Sequence, residues 1–150
     1  MTLQQAKRIS RYIFGIGFII AGANHFVMTA FYVSIVPPYL PWPLALVVIS
    51  GMAEIGLGAL LLVRRWSALA AWGLIALLIA VFPANLHMAL HPELYPWAPV
   101  AALWLRLPLQ GVLIGWASWH TRSEPLVHKR GAAVRVQVDV NGHQGHGQGH

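Results

Sequence analysis

Ser50-Gly51-Met52-Ala53-Glu54-Ile55-Gly56-Leu57-Gly58 decides the fold, because it lies inside an apolar run, residues 44–63, whose single ionisable side chain is Glu54. About 20 apolar residues are what an α-helix needs to cross a bilayer core of roughly 30 Å. A carboxylate near the middle of such a helix costs about 3 kcal/mol on insertion scales unless the protein answers it. Gly51, Glu54 and Gly58 fall at i, i+3 and i+7, one stripe of a helix, so Glu54 is expected to face a neighbouring helix and not lipid.

Three more apolar runs of similar length follow the same logic, at residues 12–31, 66–88 and 99–119. Alternating strands of about ten residues, the mark of a membrane barrel, are absent from the pattern. The expected architecture is an all-α membrane protein, a four-transmembrane-helix bundle over residues 1–120 with a polar, Gly/His-rich tail at 121–150. Composition agrees: 57% of residues are hydrophobic and 9% charged, where a soluble domain carries about 25% charged residues. The run at 12–31 is longer than a signal-peptide core and lacks a convincing cleavage site after it, so it is read as a retained first span.

The formal charge of +6 does not point to nucleic acid, since no basic face with interleaved aromatics occurs. The basic residues instead flank the apolar runs. Lys7, Arg8 and Arg11 precede the first, Arg64 and Arg65 separate the second from the third, and Arg122, Lys129, Arg130 and Arg135 follow the fourth. The other two connections contain neither Lys nor Arg, so both termini are expected on the cytoplasmic side. Tyr32, Tyr39, Trp42, Tyr95 and Trp97 then mark the outer interface, and Tyr12, Trp66, Trp116 and Trp119 the inner one. The short Arg64–Trp66 connection implies a tight antiparallel hairpin. The proline-rich but apolar connection at 33–43 is expected to lie against the outer end of the bundle.

The chain has no cysteine, which excludes disulfides, thiol relays and Cys-ligated metal centres. Within the tail, Val134, Val136, Val138 and Val140 alternate with polar residues in strand period, and residues 141–150 are of low complexity and expected to be disordered. His143, His146 and His150 there offer a weak metal-binding tract and no more.

Polar side chains on the other runs are the candidates to answer Glu54. At 1.5 Å of rise per residue, Glu54 lies near the midplane, and Asn24, His25, Asn85, Arg106 and Gln110 lie in the outer half. A guanidinium has five donors and stays charged, so Arg106 is the expected partner of Glu54, with Gln110 on the same face at i+4. Pro83 and Pro108 deprive the carbonyls of Ile79 and Trp104 of their donors, and Asn85 and Gln110 are placed to answer such freed groups. The expected site is a polar network of Glu54, Arg106, Gln110, Asn85, His25 and Asn24, deepest at Glu54 and opening outward. Such a network either binds a ligand or handles protons, or it only fixes helix register. His25 and His87, both in outer halves, meet the minimum requirement for a haem between the first and third helices, but His87 sits about 200° around its helix from Asn85, which disfavours haem.

Ala23-Asn24-His25-Phe26, Val36-Pro37-Pro38-Tyr39-Leu40-Pro41, Ser50-Gly51-Met52-Ala53-Glu54-Ile55, Val81-Phe82-Pro83-Ala84-Asn85 and Leu105-Arg106-Leu107-Pro108-Leu109-Gln110 occur in that order. Together they resemble the DoxX-like family of small four-helix membrane proteins, over nearly all of residues 12–119. The resemblance implies a multi-pass protein of a bacterial or archaeal cytoplasmic (plasma) membrane. It also implies an oxidoreductase-associated accessory role beside redox-complex subunits. The absence of cysteine argues against any thiol-based version.

Three functions follow as expectations. The first is a redox-associated accessory subunit whose outer polar pocket takes a quinone, with Arg106, Gln110, Asn85 and His25 as donors to its carbonyl oxygens. The second is a non-redox binder, transporter or isomerase of a lipophilic small molecule, with Glu54 handling the proton. The third is a membrane assembly or scaffold protein with no substrate.

Overall fold

The computed structural model describes residues 1–122, and its regular structure is helical throughout. In chain order the helices are α1 (Leu3–Val27), α2 (Thr29–Ser34), α3 (Pro43–Leu62), α4 (Ser67–Leu90) and α5 (Val100–His120), with a 3-10 turn at Pro92–Leu94. Helices α3, α4 and α5 are long and apolar enough to cross a membrane. Helix α1, at 25 residues, is longer than α3. Lys7, Arg8 and Arg11 in its first half and Asn24 and His25 near its end make it more polar than those three. The expected tail features, the alternating valines and the His143, His146 and His150 tract, lie outside the described residues.

Local chemistry sets the helix ends. Thr2 opens α1 with a reciprocal cap, in which Gln5 N–H donates to Thr2 Oγ1 and Thr2 N–H to Gln5 Oε1, satisfying two donors that the first turn leaves free. Pro43 starts α3 at a position where a missing N–H costs nothing. Between α3 and α4 the chain reverses within four residues. Trp66 N–H donates to the Val63 carbonyl at 2.9 Å and the Ser67 hydroxyl to the Arg64 carbonyl at 3.0 Å, which makes the expected tight hairpin.

The first apolar run departs from expectation. It is not one helix to residue 31, because α1 ends at Val27 and α2 restarts at Thr29. Thr29 Oγ1 sits 2.9 Å from the His25 carbonyl and 3.1 Å from that of Phe26, so a side chain supplies the donor at the last turn of α1. Beyond this break α2 brings Tyr32 over the end of α1.

Helices α1 and α3 form the tightest pair. A Cβ added at Gly22 would lie 2.6 Å from the Gly51 carbonyl oxygen, and one at Gly58 would lie 2.7 Å from that of Gly15. Two glycine pairs therefore let the backbones touch, and their register, Gly15 opposite Gly58 and Gly22 opposite Gly51, is antiparallel. Helix α3 then packs on α4, and α4 on α5.

At the end bearing Arg64, here the basic end, side chains bring α5 back to α1. Trp116 Nε1–H donates to Ser10 Oγ at 2.6 Å, Ser10 Oγ lies 3.2 Å from His120 Nε2, and the Phe14 and Trp116 rings are 4.7 Å apart. Phe14, Phe18, Leu61, Leu74 and Leu78 fill the core behind this contact. The opposite end closes around Met88, Tyr95 and Leu103, with Ile35 of the proline-rich connection packed against them.

Candidate functional site

The glycine contact of α1 with α3 puts Glu54 beside the last turn of α1. Glu54 Oε2 is 3.6 Å from His25 Nδ1, and the two side chains are 13% and 11% exposed. His25 Nδ1 is also 3.0 Å from the Ala21 carbonyl oxygen. A carbonyl can only accept, so Nδ1 carries the proton and donates it to Ala21. At 3.6 Å the carboxylate lies beyond a hydrogen bond, and Glu54 Oε2 is buried without a hydrogen-bond partner.

Tyr32 completes this cluster. Its ring stacks on His25 with centroids 3.8 Å apart and planes 20° from parallel, and its hydroxyl accepts from Asn24 Nδ2 at 3.1 Å. The sequence places Tyr32 only among the interface aromatics. Its spacing of seven residues from His25 is the signal that links them, since i and i+7 share a helix face; the break at Met28 brings the ring down instead of letting it pass outward.

The remaining expected members form a separate group. Asn85 Nδ2 donates to Gln110 Oε1 at 3.0 Å, and Gln110 Nε2 donates to the Leu78 carbonyl. Pro83 lies inside α4, and the carbonyl that Gln110 answers is that of Leu78, one residue before the expected Ile79. Gln110 is buried and joins α5 to α4.

The expected Glu54–Arg106 pair does not form: among the described residues the ionic neighbour of Glu54 is His25. Arg106 Nη1 instead lies 3.5 Å from Met88 Sδ. The reason is azimuthal. Glu54 shares its helix stripe with the glycines that contact α1, whereas α5 packs on α4. The one network expected from depth is thus two clusters, His25–Glu54–Tyr32–Asn24 and Asn85–Gln110–Leu78, with Arg106 beside Met88.

His87 belongs with neither. Its ring packs near those of Tyr39, His91 and Tyr95, so His25 and His87 lie in different side-chain clusters. In the connection beyond α4, His91 Nδ1 is 3.1 Å from Glu93 Oε1. The backbone N–H of Glu93, and then the His91 ring, hold that carboxyl below its usual range. Burial, with a smaller contribution from Tyr39, pushes the Tyr95 phenol up. Among the described residues no group of three or more His, Asp or Glu side chains is placed to hold a metal ion.

These features define a membrane protein that is helical over its described residues, with a buried carboxyl group between two closely packed helices. The chain belongs to the family described as domain of unknown function DUF8561, whose model matches residues 14–121. That stretch runs from Phe14 in the core to the end of α5 and contains every member of both polar clusters. No curated protein and no solved structure matches the chain.

Proposed function

We propose that this chain is a DoxX-like, four-span protein of a bacterial or archaeal cytoplasmic membrane, with both termini inside, that binds a quinone-type or related lipophilic molecule as an accessory subunit of a redox complex. In this reading α1 is the fourth span. The observation that carries it is Glu54 Oε2, a carboxylate oxygen buried between helices and lacking a donor. An ionisable group inside a membrane-spanning bundle is expensive, and it points by default to a functional site.

The chemistry favours a ligand that donates. Asn85 gives a hydrogen bond to Gln110, Gln110 gives one to the Leu78 carbonyl, and the Nδ1 proton of His25 is given to Ala21. The α1–α3 cluster therefore presents acceptors, Glu54 Oε2 and, in the neutral ring, His25 Nε2. A hydroquinone hydroxyl suits these better than a quinone carbonyl, which needs donors. Arg106, with nitrogens beyond the one on Met88, and the second amide hydrogens of Asn85 and Gln110 are the donors that remain.

Mass spectrometry of the lipid-soluble molecules retained by the full chain in mild detergent tests this reading. A quinol or quinone present at near-stoichiometric amounts, and depleted in Glu54→Gln, is the expected result. The second reading, a scaffold with no ligand, draws on the Asn85–Gln110–Leu78 bonds, which only join helices. An empty interior together with a stoichiometric partner protein would establish that one instead.

A further inference from the structure

A second polar site lies at the basic end, remote from Glu54. Thr2, Gln4, Gln5, Arg8, Arg11 and Arg64 line a cleft of about 380 Å³. Gln4, Arg8 and Arg11 fall at i, i+4 and i+7, so one stripe of α1 supplies three of the six. The antiparallel register of the glycine pairs carries Arg64, just past the end of α3, to the level of the Arg8–Arg11 turn. Three guanidiniums and three hydrogen-bonding side chains thus meet, and among the described residues no carboxylate lines the cleft.

Arg11 separates this site from an ordinary solvated basic patch. It is only 8% exposed, and its Nε is buried with no hydrogen-bond partner. Its guanidinium carbon lies 5.7 Å from the centroid of the Tyr12 ring, a contact that leaves the Nε–H unanswered. A buried cationic donor without an acceptor is costly. A tetrahedral oxyanion corrects this, because it accepts from two nitrogens of one guanidinium at once, Nε among them.

We infer that this cleft binds a phosphate-bearing anion, held by Arg11 from within and Arg8 from the rim, at the membrane face where the basic ends of α1 and α3 emerge. The phosphate comes either from an anionic phospholipid headgroup or from a soluble phosphate, and both use the same contacts. Basic side chains flanking a span already meet anionic headgroups; the cleft turns that diffuse attraction into a site with a defined stoichiometry.

The test uses the full chain in a neutral detergent and two probes, phosphatidylglycerol followed by native mass spectrometry and inorganic phosphate followed by thermal unfolding. Arg8→Gln and Arg11→Gln are compared with Arg65→Gln, which removes a charge from the same turn as Arg64 without touching the cleft. One bound phosphatidylglycerol per chain is expected, weakened about tenfold by either cleft substitution and unchanged in Arg65→Gln. Should inorganic phosphate alone raise the unfolding temperature, with the same dependence on Arg8 and Arg11, the ligand is a soluble phosphate and the site stands. Equal weakening in all three variants, or no weakening in the cleft variants, overturns it. Arg8 is exposed, so Arg8→Gln carries the test if Arg11→Gln fails to fold.

Discussion

His25 Nδ1 stands 3.6 Å from Glu54 Oε2, yet it gives its proton to the Ala21 carbonyl at 3.0 Å. The imidazole is held in place by its own helix, and the carboxylate beside it keeps an open valence. A double-mutant cycle on stability in detergent reads this directly. Glu54→Gln with His25→Gln is expected to show coupling of about 0.5 kcal/mol or more, as residues in contact do. Glu54→Gln with Arg106→Gln is expected to add simply. Coupling confined to the Arg106 pair would contradict the observed arrangement.

Helix contact through glycine makes a paired prediction. Gly22→Ala places a methyl against the Gly51 carbonyl, backbone that cannot swing aside, so α1 and α3 must separate at a cost of about 1–3 kcal/mol. Gly17 faces open space, and Gly17→Ala should be neutral or stabilising by up to about 1 kcal/mol through helix propensity. Equal effects in thermal unfolding would mean that the α1–α3 contact is not as close as described.

Gln110→Leu keeps the volume of the side chain but withdraws the donor from Leu78 and the acceptor from Asn85. A loss of about 1–3 kcal/mol in unfolding is expected. Asn85→Ala should cost less, near the 0.6 kcal/mol average for interhelical bonds in membranes, because Leu78 keeps its donor.

Tyr32→Phe preserves the ring that covers His25 and removes only the acceptor for Asn24. Under the proposed function, retention of a lipophilic molecule should then survive in Tyr32→Phe and fall in Tyr32→Ala. The reverse order in extracted-ligand yields would assign the phenol hydroxyl, and not the stack, to binding.

Alkaline pH offers a readout at the opposite end of the bundle. The Tyr95 phenol is raised above its ordinary value of 10.0 by burial, so the folded state keeps the proton that the unfolded chain gives up first. Its contribution to stability is therefore complete below about pH 10 and is lost as pH climbs through the folded value. Tyr95→Phe should remove that part of the alkaline decline in an unfolding titration; an unchanged slope would place the effect elsewhere.

Much of this is legible in the sequence. The apolar lengths and the placement of Arg64 and Arg65 show α3, α4 and the turn between them, because hydrocarbon thickness and the i, i+4 hydrogen bond are local constraints. The stripe of Gly51, Glu54 and Gly58 likewise says that Glu54 faces a helix, since periodicity is a property of one segment alone. Which helix it faces is not. Depth along a helix follows from counting residues, but rotation about its axis relative to three neighbours depends on the packing of all of them. Only the tertiary contacts turn Glu54 toward His25 and away from Arg106, and separate Asn85 and Gln110 into a group of their own. The break at Met28 that lowers Tyr32 onto His25 depends on Thr29 competing for the carbonyls of His25 and Phe26, a balance of a few hydrogen bonds too small to show in an apolar run. The cleft at the basic end has the same origin: Arg8 and Arg11 are neighbours by helical spacing, and Arg64 joins them because glycine lets α1 and α3 meet in one register.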